Sequence, residues 1–125
     1  METGIKGQVT FIVDESCSAK TMGSGALDVL ATPKMIAMLE KAAWESVQPF
    51  LEEGCGTVGT LMNVTHDAAT PLGMQVRCTS ELTAIDGRKL TFSLEAFDER
   101  GHIGGGIHER YIINNEKFQN KTNAK

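Results

Sequence analysis

The order of local signals in this chain predicts an α+β domain, with an antiparallel sheet of about five strands covering one long helix. Three observations carry that reading. Residues 32–51 (TPKMIAMLEKAAWESVQPFL) repeat their apolar positions at a helical period. One β-rich run precedes this stretch and four alternating runs follow it. Asp86-Gly87, between two of the later runs, is the strongest short hairpin signal in the chain.

Taken in order, Val9–Val13 (VTFIV) reads as the first strand, and residues 16–30 as a loop with at most a short helical turn. In the helix, Thr32 is placed as the N-cap and Pro33 at the first helical position. Lys41, Glu45, Gln48 and Glu52 follow at steps of three and four and make its wet stripe. The glycines of residues 52–56 (EEGCG) stop it. Thr57–His66 is the second strand, residues 68–73 (AATPLG) a turn-rich link, and Met74–Ile85 the third strand. Lys89–Asp98 pairs back across Asp86-Gly87, and Ile107–Asn114 is the last strand. The polar tail from about 115 is expected to fray. There is no internal repeat and no linker, so residues 1–125 form a single domain. This order suits a hotdog fold, a sheet wrapped around a central helix. A cystatin-like helix-on-sheet arrangement has the same order of elements.

Composition bounds the function. With 125 residues the chain holds one core, and 41% hydrophobic against 22% charged residues is ordinary for a globular domain. The net charge is −4 and Lys/Arg do not cluster, which gives no electrostatic case for nucleic acid or an anionic membrane. No apolar run is long enough to span a bilayer and the first residues (METGIKGQVTF) lack a signal-peptide pattern, so the cytoplasm is the expected location. Cys17, Cys55 and Cys78 have no paired spacing, which supports neither a disulfide framework nor a metal site. Cys55, flanked by Gly54 and Gly56, is the least implausible catalytic thiol, but an incidental cysteine is the better reading.

One residue stands out chemically. Glu40 lies outside the wet stripe, and its helical neighbours Ile36, Ala37, Ala43 and Trp44 are all apolar. A carboxylate so placed should be partly desolvated, which costs free energy unless it is paired and makes it a candidate for chemistry. A helix-edge acid reaching water along its own stem is the alternative. His66, at a strand end beside Asp67, can hold or release a proton near neutrality. His102 and His108 show nothing comparable. Gly104–Gly106 lack the strand-to-helix context of a phosphate loop and read as an irregular strand start.

Four segments, ATPKMIAMLEKAAW (31–44), TVGTLMNVTHDAATPLGM (57–74), ELTAIDGRKLTF (81–92) and IGGGIHERYII (103–113), carry a further signal. In their order and spacing they resemble the fluoroacetyl-CoA thioesterase family of hotdog enzymes. The resemblance implies a hotdog fold, hydrolysis of an acyl-CoA thioester, and a dimer with active sites at the subunit interface. It implies Thr32, Glu40 and His66 as the catalytic group, Gly59 as a strand glycine whose backbone faces the substrate, and Arg110 as the arginine of the HER motif. Arg110 is then a partner for coenzyme A phosphates or an anchor of the site, and a cross-strand salt bridge is equally open. No cofactor or metal is implied, since coenzyme A enters as part of the substrate. Exposed strand edges argue for a homodimer or a tetramer of dimers. The family's fluoroacetate-resistance member carries aromatic lid residues before the helix. Residues 18–30 here have none, so selectivity for a fluorinated acyl group does not carry over. Two other readings use the same scaffold: a non-catalytic domain binding an acyl-CoA or apolar small molecule, and a dehydratase or isomerase.

Overall fold

The computed structural model describes all 125 residues. Strands β1 (Lys6–Ile12), β2 (Cys55–His66), β3 (Gln75–Asp86), β4 (Lys89–Asp98) and β5 (Gly101–Asn114) form one sheet in the order β1-β3-β4-β5-β2. All neighbouring pairs are antiparallel. Helices α1 (Ala19–Met22), α2 (Thr32–Val47) and α3 (Asn115–Asn123) complete the chain. The hotdog architecture expected from the order of elements is therefore present.

The core lies between α2 and the sheet. Met35, Leu39, Ala43 and Val47 recur every four residues, so they share one face of α2, and all are 0% exposed. Opposite them stand the alternate residues of two strands: Val76, Cys78 and Leu82 on β3, and Leu90, Phe92, Leu94 and Ala96 on β4. The Val, Leu, Met and Phe side chains among them each contribute roughly 1.5–3 kcal/mol, and the alanines less. The helix fits closely at one crossing, where a Cβ on Gly7 of β1 would strike the Ala42 carbonyl and the Ser80 hydroxyl.

Several boundaries differ from the sequence expectation, each for a local reason. The α-helical part of the 32–51 stretch ends at Val47 and tightens into a 3₁₀ turn over Gln48–Phe50. Pro49 has no N–H to continue the ladder and disfavours a helical residue before it. Strand β5 begins at Gly101 and runs through Gly104–Gly106, which a position inside the sheet explains. A Cβ on Gly104 would strike the Thr65 carbonyl, and one on Gly106 the Asn63 carbonyl, so bare backbone lets β5 sit close to β2. The tail expected to fray is instead α3. Asn114 caps it by accepting from the Lys117 N–H at 3.0 Å, although none of its side chains is buried.

Two strands are left at the edges, β1 and β2. Strand β2 carries a bulge at Thr60, where Gly59 pairs with Arg110 and Leu61 with the next residue, Glu109. Beside this edge Leu61 is 43% and Trp44 40% exposed. No helix is long and apolar enough to cross a membrane.

Candidate active site

Thr32 is the first residue of α2, and the cap position belongs to Ala31, which makes no side-chain capping bond. The N-cap role expected for Thr32 is thus corrected by one residue. The chain entering the helix is pinned: the Leu30 N–H donates to Thr70 O at 2.9 Å and the Ala31 N–H to Cys17 O at 2.8 Å. Two backbone bonds therefore fix where the helix starts and leave the Thr32 hydroxyl free for another partner. That partner is His66. Thr32 Oγ1 lies 2.7 Å from His66 Nδ1.

His66 ends β2 opposite Gly104, and the following turn is held by Asp67 N–H donating to Ile103 O at 2.6 Å. Burial lowers the His66 pKa from 6.5, with the Ala68 backbone and the Asp67 charge opposing. The neutral ring is favoured, which suits a proton acceptor. When the Thr32 hydroxyl donates to Nδ1, the ring proton sits on Nε2, and Nε2 is buried with no hydrogen-bond partner in the protomer. A pocket of about 210 Å³ opens beside the pair, lined among others by Val29, Leu30 and Ala68.

Glu40 sits in a second cluster. Thr32 and Glu40 are eight residues apart on one helix, about 12 Å along its axis. Glu40 Oε2 lies against Gly59, where an added Cβ would be only 2.8 Å from it, and Gly59 is seven residues along β2 from His66, roughly 20 Å. One protomer therefore joins Thr32 to His66 and keeps Glu40 apart. The environment of Glu40 also differs from the expectation of an acid among apolar neighbours. Its side chain is 41% exposed, and Oε2 lies 3.3 Å from Arg110 Nη1. Of its apolar helical neighbours, Ala37 and Trp44 are exposed and lie outside the core.

Arg110 is only 6% exposed, and its N–H groups are committed inside the protein. Nε donates to Thr57 Oγ1 at 2.8 Å and Nη2 to Thr57 O at 2.9 Å. Nη1 is shared between Glu40 and His108 Nε2, the latter at 3.2 Å. Of the roles open to Arg110, this geometry favours the anchor of the site over a reach to coenzyme A phosphates. Cys55, at the other end of β2 from His66, is outside both clusters. Burial pushes the Cys78 thiol up to about 12, so it is no nucleophile.

His108 and Thr57 stand outside the sequence expectations, and His108 had a readable signal. It is two residues from Arg110 on one strand, so both must point to the same face. Thr57 had none, because its link to Arg110 depends on the register of β2 against β5.

Five antiparallel strands around one helix, with a hydroxyl–imidazole pair at the start of that helix, define a hotdog-fold thioesterase. Comparison with known proteins narrows the class. The family model described as fluoroacetyl-CoA-specific thioesterase matches residues 13–116, and the chain belongs to that family. It is 43% identical over 98 residues to the fluoroacetyl-CoA thioesterase of Streptantibioticus cattleyicolor, covering 78% of this chain and 70% of that protein. A solved fluoroacetyl-CoA thioesterase superposes with a TM-score of 0.93 at 35% identity, over 100% of this chain and 97% of the other. A thioesterase superfamily member from Thermus thermophilus gives 0.90 at 26% identity, over 98% and 91%.

Proposed function

We propose that the protein hydrolyses a small acyl-CoA thioester to the free acid and coenzyme A, with Thr32, His66 and Glu40 as its catalytic group. The observation that carries this reading is the 2.7 Å approach of the Thr32 hydroxyl to His66 Nδ1 at the start of α2. His66 takes the hydroxyl proton as Thr32 Oγ1 attacks the thioester carbonyl. The Thr32 N–H, which the helix leaves unpaired, and the positive dipole end of α2 steady the developing oxyanion. The coenzyme A sulfur leaves and takes the proton from His66. Water, deprotonated by the same ring, then attacks the Thr32 ester, and the ring returns that proton to the departing Thr32 Oγ1 as the acid is released.

The site is completed at a dimer interface. Glu40 stands apart from the Thr32–His66 pair of its own protomer and lies against Gly59 of β2, a strand whose outer edge is unpaired. Met62, Val64 and His66 share one face of that strand. A two-fold axis through Asn63 pairs Met62 with Val64 of the partner subunit. Because the Thr60 bulge gives Gly59 the next inward position, Gly59 and the Glu40 carboxylate against it then meet His66 of the partner subunit. Glu40 acts there as the base that orients and polarises the imidazole. Gly59 leaves bare backbone where the acyl group lies. Three free cysteines fit a reducing compartment, and we place the protein in the cytoplasm.

The test is release of free thiol from a panel of short, branched and aryl acyl-CoAs. Turnover of at least one small member is expected. Tight binding of a panel member without hydrolysis of any would overturn the enzyme in favour of a binding domain.

A further inference from the structure

His108 is the most deeply buried histidine in the protein and takes no part in the steps above. It is 1% exposed on the helix-facing side of β5, above Phe92, with ring centroids 6.0 Å apart. A buried imidazole is costly unless both nitrogens are satisfied. Here they are, and each by a different kind of partner. Nδ1 lies 2.7 Å from Leu61 O, a carbonyl that only accepts, so Nδ1 carries the proton. Nε2 is then a lone pair, and the Arg110 Nη1 N–H donates to it at 3.2 Å. The same Nη1 group faces Glu40 Oε2 at 3.3 Å. A continuous chain results: the Leu61 carbonyl at the β2 bulge, the neutral ring, the guanidinium, the carboxylate.

We propose that His108 is a positioning residue of the thioesterase reaction, which by accepting from Arg110 sets the guanidinium that aims Glu40. This rests on the catalytic role proposed for Glu40. Thr57 grips the Nε and Nη2 side of Arg110, and His108 is the remaining protein acceptor that orients the Nη1 side. A tilt of that group moves the carboxylate it carries, and a misplaced catalytic group loses rate far more than binding. Burial lowers the His108 pKa from 6.5, with the nearby Arg110 charge a lesser cause, and keeps the ring in the accepting form.

Two substitutions separate this from a packing role. Glutamine places a polar atom where Nε2 stands, so His108→Gln keeps an acceptor for Arg110. Asparagine places one where Nδ1 stands, so His108→Asn keeps the link to Leu61 O and loses the acceptor. In the full chain, with the acyl-CoA that the wild-type protein turns over best, His108→Asn should lose about tenfold or more in kcat at nearly unchanged KM. His108→Gln should stay within a few-fold of wild type, although both variants melt lower. In a Glu40→Gln background the Asn and Gln variants should become equal, because the carboxylate being positioned is gone. Equal kcat for the two single variants, or an undiminished difference in that background, overturns the positioning role while leaving the thioesterase intact. A wild-type protein that hydrolyses no acyl-CoA overturns both.

Discussion

Glu40 shows how a side chain's sequence neighbours and its spatial neighbours can argue in different directions. Along the helix it is surrounded by apolar residues, yet its carboxylate meets a buried guanidinium. Glu40→Gln keeps the shape and removes the base, so kcat should fall by about two orders of magnitude, read as thiol release from the best acyl-CoA. The same change leaves the Arg110 charge buried without its counter-ion, so the variant should melt below wild type in calorimetry. In the proposed reaction His66 sets the pH dependence. Its ring must be neutral to accept the Thr32 proton, so kcat/KM should decline on the acid side of pH 6.5, and that limb should vanish in His66→Ala. Stability follows the same sign. Both His66 and His108 have folded pKa values lowered from 6.5, so as pH falls the unfolded chain takes up protons first. Their contribution is whole above pH 6.5 and is lost as pH falls through the lower folded values. Urea midpoints should therefore drop between pH 7 and pH 5.

Each element of the chain positions the site through a particular local feature. The start of α2 is set by backbone bonds from Leu30 and Ala31, and these leave Thr32 free to face His66. The Thr60 bulge turns Gly59 inward beneath Glu40, and any side chain at 59 would meet that carboxylate. Helix α3, in contrast, buries no residue, and Phe118 remains 42% exposed. Deleting residues 115–125 should therefore lower the melting temperature by only a few degrees and leave kcat near wild type, since neither cluster touches α3. A collapse of folding on that deletion would show that α3 covers more than its own cap.

For the whole molecule, one protomer holds two separate polar clusters, Thr32–His66 and Glu40–Arg110–His108, and an open strand edge. Pairing β2 about Asn63 accounts for two observations together: the Glu40 carboxylate held apart from His66, and the exposed Leu61 and Trp44. The carbonyl of Asn63 faces β5, so the alternate residue Val64 has its N–H on the open side; Val64→Pro removes that donor and should convert a dimer by light scattering into a monomer. Activity should disappear with the dimer at protein concentrations where the wild type is fully associated. An active monomer would place the whole site within one chain.

The α+β class, the long helix, the Asp86-Gly87 hairpin and the strand periods were legible in the sequence, because each depends on residues near one another along the chain. Glu40 and His66 were legible as candidates, the first from helical spacing and both from the motifs that carry the family resemblance. Tertiary structure decided what each one touches. The Thr32–His66 pair spans 34 residues and the Glu40–Arg110 pair 70, and such approaches are set by sheet register and helix docking. The role of His108 was hidden for the same reason. Its spacing from Arg110 gave its face, but Leu61 O and Arg110 Nη1 reach its two nitrogens only once β2, with its bulge, lies beside β5. Local pattern determines which elements form and which faces they bury, whereas the protonation and pairing of a buried group depend on atoms that only the folded chain brings within hydrogen-bond reach.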